Sequence, residues 1–202
     1  VTISRLLGVL KRYSRFIYFS TPATVLNSIA FYVPAVLLTV QHGVAVAGYY
    51  GLASQAVRMP LSLIEASVGK VYLGNAAKLI HEDPSKLLKF YLSTIFKLFL
   101  IGVVPAAALL FFGPALFSRI FGVHWHQAGI YARILSVMFL VEFSIVAPSQ
   151  NLTLLEMQHT FLIWNAVFAG LVFLAFLPSH FLTLSPSVTL LLLGLGMIVS
   201  YF

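Results

Sequence analysis

Six charged side chains lie within strongly apolar stretches of this 202-residue chain: Arg58, Glu65, Lys70, Lys97, Arg133 and Glu142. Moving one such charge to the centre of a bilayer costs about 2.5–3.5 kcal/mol on insertion scales. A charge near the midplane, such as Arg58, is therefore expected to face a partner, a hydrated cavity or an anionic ligand, whereas Lys70, nearer the inner headgroups, can snorkel to the membrane surface. Because guanidinium and ammonium groups bind phosphate oxygens, the bases point to recognition of an anionic head group.

Arg58 and Glu65 share the stretch "ASQAVRMPLSLIEASVGKVYL", residues 53–73. If this helix enters the membrane near Ala45, Arg58 lies about 18–20 Å along it, close to the midplane. Glu65 follows two helical turns later on the same face. Two interpretations stay open. Arg58 faces a cavity and attracts an anionic ligand, or it pairs with Glu65 or Glu142 and only joins helices.

The other candidate positions carry weaker signals. Lys97 shares a helical face with Lys86, which makes a basic stripe suited to a phosphate-bearing lipid; the alternative is lysines that snorkel to the interface. Asn27 belongs to a polar third of its helix and suits interhelical hydrogen bonds or a hydrated lumen. Arg133 is predicted on the opposite face of its helix from Glu142.

Residue sets for catalysis or metal binding are sparse. The only aspartate is Asp83, in a polar connection, so no buried Ser-His-Asp triad is expected. The chain has no cysteine, which excludes thiolate ligands. His124 and His126 flank Trp125 and favour an interfacial belt over a metal site. We expect no enzyme activity, no cofactor, no metal and no nucleic-acid partner.

Composition indicates the fold class. The chain is 60% hydrophobic and 8% charged, against about 25% charged in soluble domains, which is too little polarity to cover a soluble surface. The apolar runs lack the alternation of barrel strands. They predict an all-α membrane protein, a bundle of six transmembrane helices at 19–39, 44–73, 88–112, 128–155, 160–177 and 187–202. Polar or turn-rich connections are predicted at 80–89, 113–127 and 178–186.

Residues 1–18 are predicted to form a separate cytoplasmic linker helix before the six-helix lobe of residues 19–202. Apolar and basic side chains fall on opposite faces of this segment, as in helices that lie at the membrane surface. A solvated linker is the alternative. Since the chain begins at Val1 without a signal-peptide pattern, we expect it to be part of a longer protein.

Basic residues are unevenly distributed between the two predicted ends of the bundle. Arg119 lies alone at one end, whereas seven lie at the other: Arg5, Lys11, Arg12, Arg15, Lys78, Lys86 and Lys89. The positive-inside rule places both termini and residues 80–89 in the cytoplasm, and residues 113–127 in the periplasm.

Three blocks carry a family resemblance: "FSTPATVLNSIAFYVPAVLLT", "GYYGLASQAVRMPLSLIEASVGKVYLGNAAKL" and "FGVHWHQAGIYARILS". From about residue 11 to residue 164, the chain resembles the second half of the Wzx-like polysaccharide biosynthesis flippases. These belong to the multidrug/oligosaccharidyl-lipid/polysaccharide exporter superfamily. The resemblance implies one six-helix lobe of the multidrug and toxin extrusion (MATE-like) fold, with a central cavity between two lobes.

The same resemblance implies a function. Family members move undecaprenyl-pyrophosphate-linked oligosaccharide across the bacterial inner membrane for O-antigen, capsule or exopolysaccharide synthesis. Arg58 and Arg133 match family arginines, whereas Glu65, Lys70 and Glu142 depart from the family pattern. The implied partners are the lipid-linked oligosaccharide, membrane lipids and a missing N-terminal lobe. The alternatives are a cation-coupled drug exporter of the same fold and a structural membrane subunit.

Overall fold

The structure, a computed structural model, describes residues 16–149, 151–155 and 157–201, and this part of the chain is helical with no strand. A π-helical turn, Phe16–Ser20, precedes the first helix. The α-helices are α1 Thr21–His42, α2 Val44–Glu82, α3 Leu87–Phe121, α4 His126–Ser149, α5 Asn151–Leu154, α6 Gln158–Leu182 and α7 Pro186–Val199. The all-α prediction is confirmed. Of the predicted linker helix, residues 1–18, the first fifteen residues lie outside the described part.

Four described segments are long and apolar enough to cross a bilayer: Tyr18–His42, Pro84–Phe121, Val123–Val146 and Gln158–Leu182. Helix α2 has ample length, but its charges interrupt the apolar run. Helix α7 has 14 residues, about 21 Å, against a hydrocarbon core of about 30 Å. The predicted crossing of the membrane by α2 and α7, and with it the count of six spans, stays a prediction.

Helix α4 is the centre of the packing. It contacts α3 most extensively and also packs on α2 and α7, while α1 packs on α2 and α6, and α6 packs on α7. Helices α1, α2, α4, α7 and α6 thus form a ring, and α3 lies outside it against α4. Buried apolar side chains of this ring, among them Tyr131, Leu135, Phe168 and Leu193, form the main core.

The helices alternate in direction along the chain, so α1 and α6 begin at one end of the bundle and α7 begins at the other. Phe19 contacts His159 at one end of the bundle, with ring centroids 6.1 Å apart. At the other end His42 Nε2 is 3.0 Å from Thr189 Oγ1. The turn after α1 is tight: Gly43 alone separates α1 from α2, with φ +91°, which favours glycine.

The predicted loop at residues 113–127 is wrong in its first part, because α3 continues through Gly113 and Pro114 to Phe121. The reason is the close crossing of α3 and α4. A Cβ added to Gly129 would lie 2.5 Å from the Gly113 carbonyl oxygen. Because glycine has no side chain, two membrane helices can approach closely where glycines face each other. The resulting packing offsets the usual tendency of glycine and proline to end a helix.

A further predicted boundary is corrected: helix α6 continues to Leu182, through Pro178, where a connection was predicted. The predicted fourth span, residues 128–155, is helical at 128–149 and 151–154, in α4 and α5, and residue 150 lies outside the described part.

Candidate functional site

Three helices bring charged and aromatic side chains together at similar depths in the bundle. Arg58 lies about 21 Å from the start of α2, and Glu142 about 24 Å from the start of α4, at 1.5 Å per residue. Phe31 of α1 faces the same point, where the Arg58 guanidinium lies over its ring. The cluster is therefore near the middle of the membrane-spanning helices.

Arg58 and Glu142 form an ion pair. The Nη2 of Arg58 is 3.1 Å from Oε2 of Glu142, and the two side chains are 25% and 11% exposed. The guanidinium carbon also lies 4.5 Å from the ring centre of Phe31 and 5.6 Å from that of Phe139. A cation on an aromatic face gains about 0.5–2 kcal/mol, more where water is excluded. The arginine is thus held by one charge and two rings.

The ion pair is close but poorly aligned for hydrogen bonding. Among the described residues, Arg58 Nε, Arg58 Nη2 and Glu142 Oε2 are buried without a hydrogen-bond partner. A guanidinium has five N–H donors in a fixed fork. Arg58 therefore keeps donors that a ligand oxygen could use.

The cluster lines a cavity of about 210 Å³, called here the charged pocket. Its lining residues are Phe31, Arg58, Leu61, Ser62, Glu65, Phe139, Glu142 and Phe143. Arg58, Glu65 and Glu142 are thus brought together, as two acids and one base. With both acids ionised, these three groups carry a charge of −1, the opposite sign from the chain as a whole.

The other predicted site residues do not line the charged pocket. Asn27 Nδ2 donates to Asn165 Oδ1 at 2.9 Å and joins α1 to α6. Arg133 is exposed, and its Nη2 lies 3.4 Å from the Phe111 carbonyl oxygen. Lys97 and Lys70 are exposed, Lys97 on α3 outside the helix ring. The assignment of Asn27, Lys97 and Arg133 to a cavity stays a prediction.

Sequence reasoning did not single out Phe31 and Phe139, the two rings that the Arg58 guanidinium contacts. Both belong to helices that are apolar along most of their length, so neither is distinctive among 18 phenylalanines. The polar side chains on one side of α1 indicate which side of that helix faces other helices. They do not indicate which phenylalanine contacts Arg58.

Within the described residues, no three histidine or acidic side chains lie together as a possible metal site. His126 Nδ1 is 3.3 Å from Ser118 Oγ, which joins the ends of α3 and α4. Trp125 packs edge-on against Tyr49.

These features define a class: a helical membrane protein with an ion pair inside its apolar bundle. Residues 3–130 match the family described as "Polysaccharide biosynthesis protein". The chain belongs to this family, so it is a multi-pass membrane protein with a role in polysaccharide synthesis or export. No curated protein and no solved structure matches the chain.

Proposed function

We propose that this chain is part of a flippase that moves undecaprenyl-pyrophosphate-linked oligosaccharide across the bacterial inner membrane. The observation that carries the proposal is Arg58: a guanidinium inside the apolar bundle that lines a cavity and keeps unused donors. Intramembrane charges are costly and usually mark a transport pathway. Family membership supports a polysaccharide or its precursor as the transported material.

In this proposal Arg58 binds the pyrophosphate through paired N–H donors. Phe31 and Phe139 fix the plane of the guanidinium, so little side-chain entropy is lost when the head group binds. The phosphate oxygens replace Glu142 as the partner of Nη2. Since Glu142 then competes with the substrate, it limits affinity and allows release.

The remaining predicted residues have supporting roles in the proposal. Lys97 guides the head group from the cytoplasmic side, and Arg133 attracts it toward the far end of the bundle. A second, N-terminal lobe faces the charged pocket and keeps Arg58 away from lipid. The chain has no catalytic activity and needs no cofactor in this mechanism.

The test uses the natural full-length protein in cells that need it for polymer export. Arg58→Ala and Arg58→Lys should reduce surface polymer by more than about tenfold at normal protein levels, because lysine cannot reproduce a bidentate fork. Arg119→Ala is the matched control: it removes an exposed arginine at the end of α3 and should leave export unchanged.

A double change separates binding from helix joining. If Arg58 only joins α2 to α4, Arg58→Ala should lower protein levels, and Arg58→Ala with Glu142→Gln should restore both folding and export. Normal export by that double variant would refute the head-group role.

The charge of the pocket favours a second candidate, a cation-coupled exporter of the same fold. Two carboxylates beside one guanidinium suit a cation better than an anion. Glu65→Gln distinguishes the two functions. It should abolish cation-driven drug efflux in an exporter, whereas in the proposed flippase polymer export should persist.

A further inference from the structure

A second cavity, of about 510 Å³, lies at the end of the bundle where α3 and α6 begin. It is called here the aromatic pocket. Its lining residues are Pro84, Leu87, Leu88, Tyr91, Ile145, Pro148, Asn151, Leu155, Phe161, Trp164 and Tyr201. The volume is within the range of about 300–1,000 Å³ typical of small-molecule sites. Nothing in the mechanism above uses it.

The pocket combines ring faces with a few hydrogen-bonding groups. Trp164 stacks almost parallel on Phe168, with ring centroids 5.7 Å apart and planes 7° apart. Tyr201 and Phe161 also contact the Trp164 ring. Hydroxyls of Tyr91 and Tyr201 and the amide of Asn151 supply polar groups. None of the described lining residues carries a charge.

Two local bonds show that these groups are held in place. Trp164 Nε1 donates to the Ser200 carbonyl oxygen at 2.7 Å, which fixes the indole against the end of α7. Asn151 Nδ2 donates to the Tyr72 hydroxyl at 2.7 Å, and its Oδ1 is buried without a partner among the described residues. An indole that only anchored the protein in the headgroups would instead direct its N–H to water or lipid.

The aromatic pocket is connected to the charged pocket by a chain of rings. Phe168 contacts Trp164 and Tyr201 on one side and Phe31 on the other, the last at 5.7 Å. Phe31 in turn lies under the Arg58 guanidinium. The two pockets are therefore neighbours, and the buried ring of Phe168 lies between their linings.

We propose that the aromatic pocket binds sugar rings of the transported glycan. A pyranose is uncharged, has a face of C–H bonds that packs on an aromatic ring, and carries hydroxyls at its rim. The uncharged ring faces and polar edge groups of this pocket match that chemistry, and its volume accommodates more than one sugar. The proposal rests on the proposed function, because it assigns the glycan part of the same substrate.

The test is direct binding of phosphate-free, lipid-free oligosaccharides to the purified full-length protein, measured by calorimetry. The panel includes the repeat unit of the cell's own surface polysaccharide. The protein should bind that oligosaccharide, and Trp164→Leu should weaken binding by about tenfold, since it keeps an apolar side chain but removes the ring. Trp164→Phe should retain most of the affinity.

Two further variants provide a control and an independent test of the aromatic pocket. Trp125→Leu removes the only other tryptophan, at the opposite end of the bundle, and should not alter binding. Tyr91→Ala, on α3, leaves the Trp164 contacts intact and should also weaken binding, so it decides the question if Trp164→Leu does not fold. No binding by the unaltered protein, or equal binding by folded Trp164→Leu and Tyr91→Ala variants, would overturn the saccharide site.

The two proposals fail separately because the probe has no phosphate. Arg58→Ala should leave oligosaccharide binding unchanged. If oligosaccharides bind through Trp164 while Arg58 variants export normally, the head-group assignment is wrong. If Arg58 variants lose export while no oligosaccharide binds, only the aromatic pocket is wrongly assigned.

Discussion

At the scale of single residues, Arg58 shows why a charge can be kept inside an apolar bundle. Desolvating two ions offsets much of their mutual attraction, so the pair with Glu142 adds little net stability. The two rings lower the cost of holding the guanidinium without neutralising it. This arrangement suits a group that must exchange partners.

Asn27 makes a structural bond that can be measured. Asn27→Ala should lower the free energy of unfolding by about 0.6–1.7 kcal/mol, the range found for hydrogen bonds between membrane helices, because it leaves the buried Asn165 Oδ1 without its donor. Ser28→Ala is the control: that exposed hydroxyl bonds only to its own helix, at the Thr24 carbonyl. Unfolding in mixed micelles measures both variants.

Asn27 has a second possible role, in transport, and export assays separate the two. A structural bond predicts that polymer export by Asn27→Ala falls only in proportion to protein level. Loss of export at normal protein level and stability would instead place Asn27 in the substrate path.

The candidate site was only partly predictable from the sequence. Arg58 and Glu142 could be identified because charge within an apolar run is detectable locally, and pairing was one of two open interpretations. The aromatic pocket could not be found this way. Its walls come from α3, α4, α5, α6 and the chain end at Tyr201, and no local pattern marks which aromatic side chains converge.

At the scale of elements, the crossing of α3 and α4 depends on missing side chains. Gly129→Ala would place a methyl group 2.5 Å from both the Gly113 carbonyl oxygen and Pro114 Cα. Backbone atoms cannot rotate away, so the helices must separate, at a cost of about 1–3 kcal/mol. The thermal unfolding midpoint of the purified protein should fall.

Gly51→Ala is the control for this substitution. Gly51 is also within a helix, but a Cβ there meets nothing within 4 Å. Alanine should be neutral or slightly stabilising because it favours the helix. Equal unfolding midpoints for Gly129→Ala and the unaltered protein would show that the close crossing is not needed.

The length of each apolar run predicted that a helix is present, but it did not predict where that helix ends. Gly113, Pro114 and Pro178 are turn signals in water, and all three lie inside helices here. Inside a membrane an unpaired backbone group has no water partner, so helices persist through such residues when neighbouring helices pack on them. That packing is tertiary information, and sequence spacing alone does not contain it.

The turn between α2 and α3 contains a pH-sensitive group of side chains, called here the Asp83 cluster. Asp83 accepts hydrogen bonds from Lys86 Nζ at 2.8 Å and Ser85 Oγ at 2.5 Å, and these partners hold the pKa of its carboxyl below the ordinary value of 3.8. A lowered pKa means that the stabilisation is complete above that ordinary value. It is lost as pH falls through the lowered pKa.

Amide hydrogen exchange at residues 85–87 measures this effect. After correction for the intrinsic pH dependence, protection should fall on acidification in the unaltered protein but stay low and constant in Asp83→Asn. Glu82→Gln is the control, since Glu82 makes only a long, exposed contact of 3.8 Å with Lys78. A pH profile in Asp83→Asn identical to that of the unaltered protein would show that the Asp83 cluster does not stabilise the turn.

At the scale of the whole molecule, the charged pocket and the aromatic pocket lie at different places in the bundle. Helix α3 packs outside the ring on α4, and it barely touches α2. The charged pocket is lined by α1, α2 and α4, whereas the aromatic pocket lies at the end where Lys78, Lys86 and Lys89 are found. If that basic end is cytoplasmic, a glycan assembled in the cytoplasm meets the aromatic pocket before the charged pocket.

The orientation of the bundle can be tested with single cysteines because the chain has none of its own. Ser85 and His124 are exposed at opposite ends of α3, a helix of 35 residues and about 52 Å. The positive-inside rule places Ser85 in the cytoplasm. In intact cells with a permeable outer membrane, an impermeant thiol reagent should label His124→Cys but not Ser85→Cys. Both should react once the inner membrane is opened, and the reverse pattern in intact cells would invert the bundle, placing the aromatic pocket on the side where the glycan leaves.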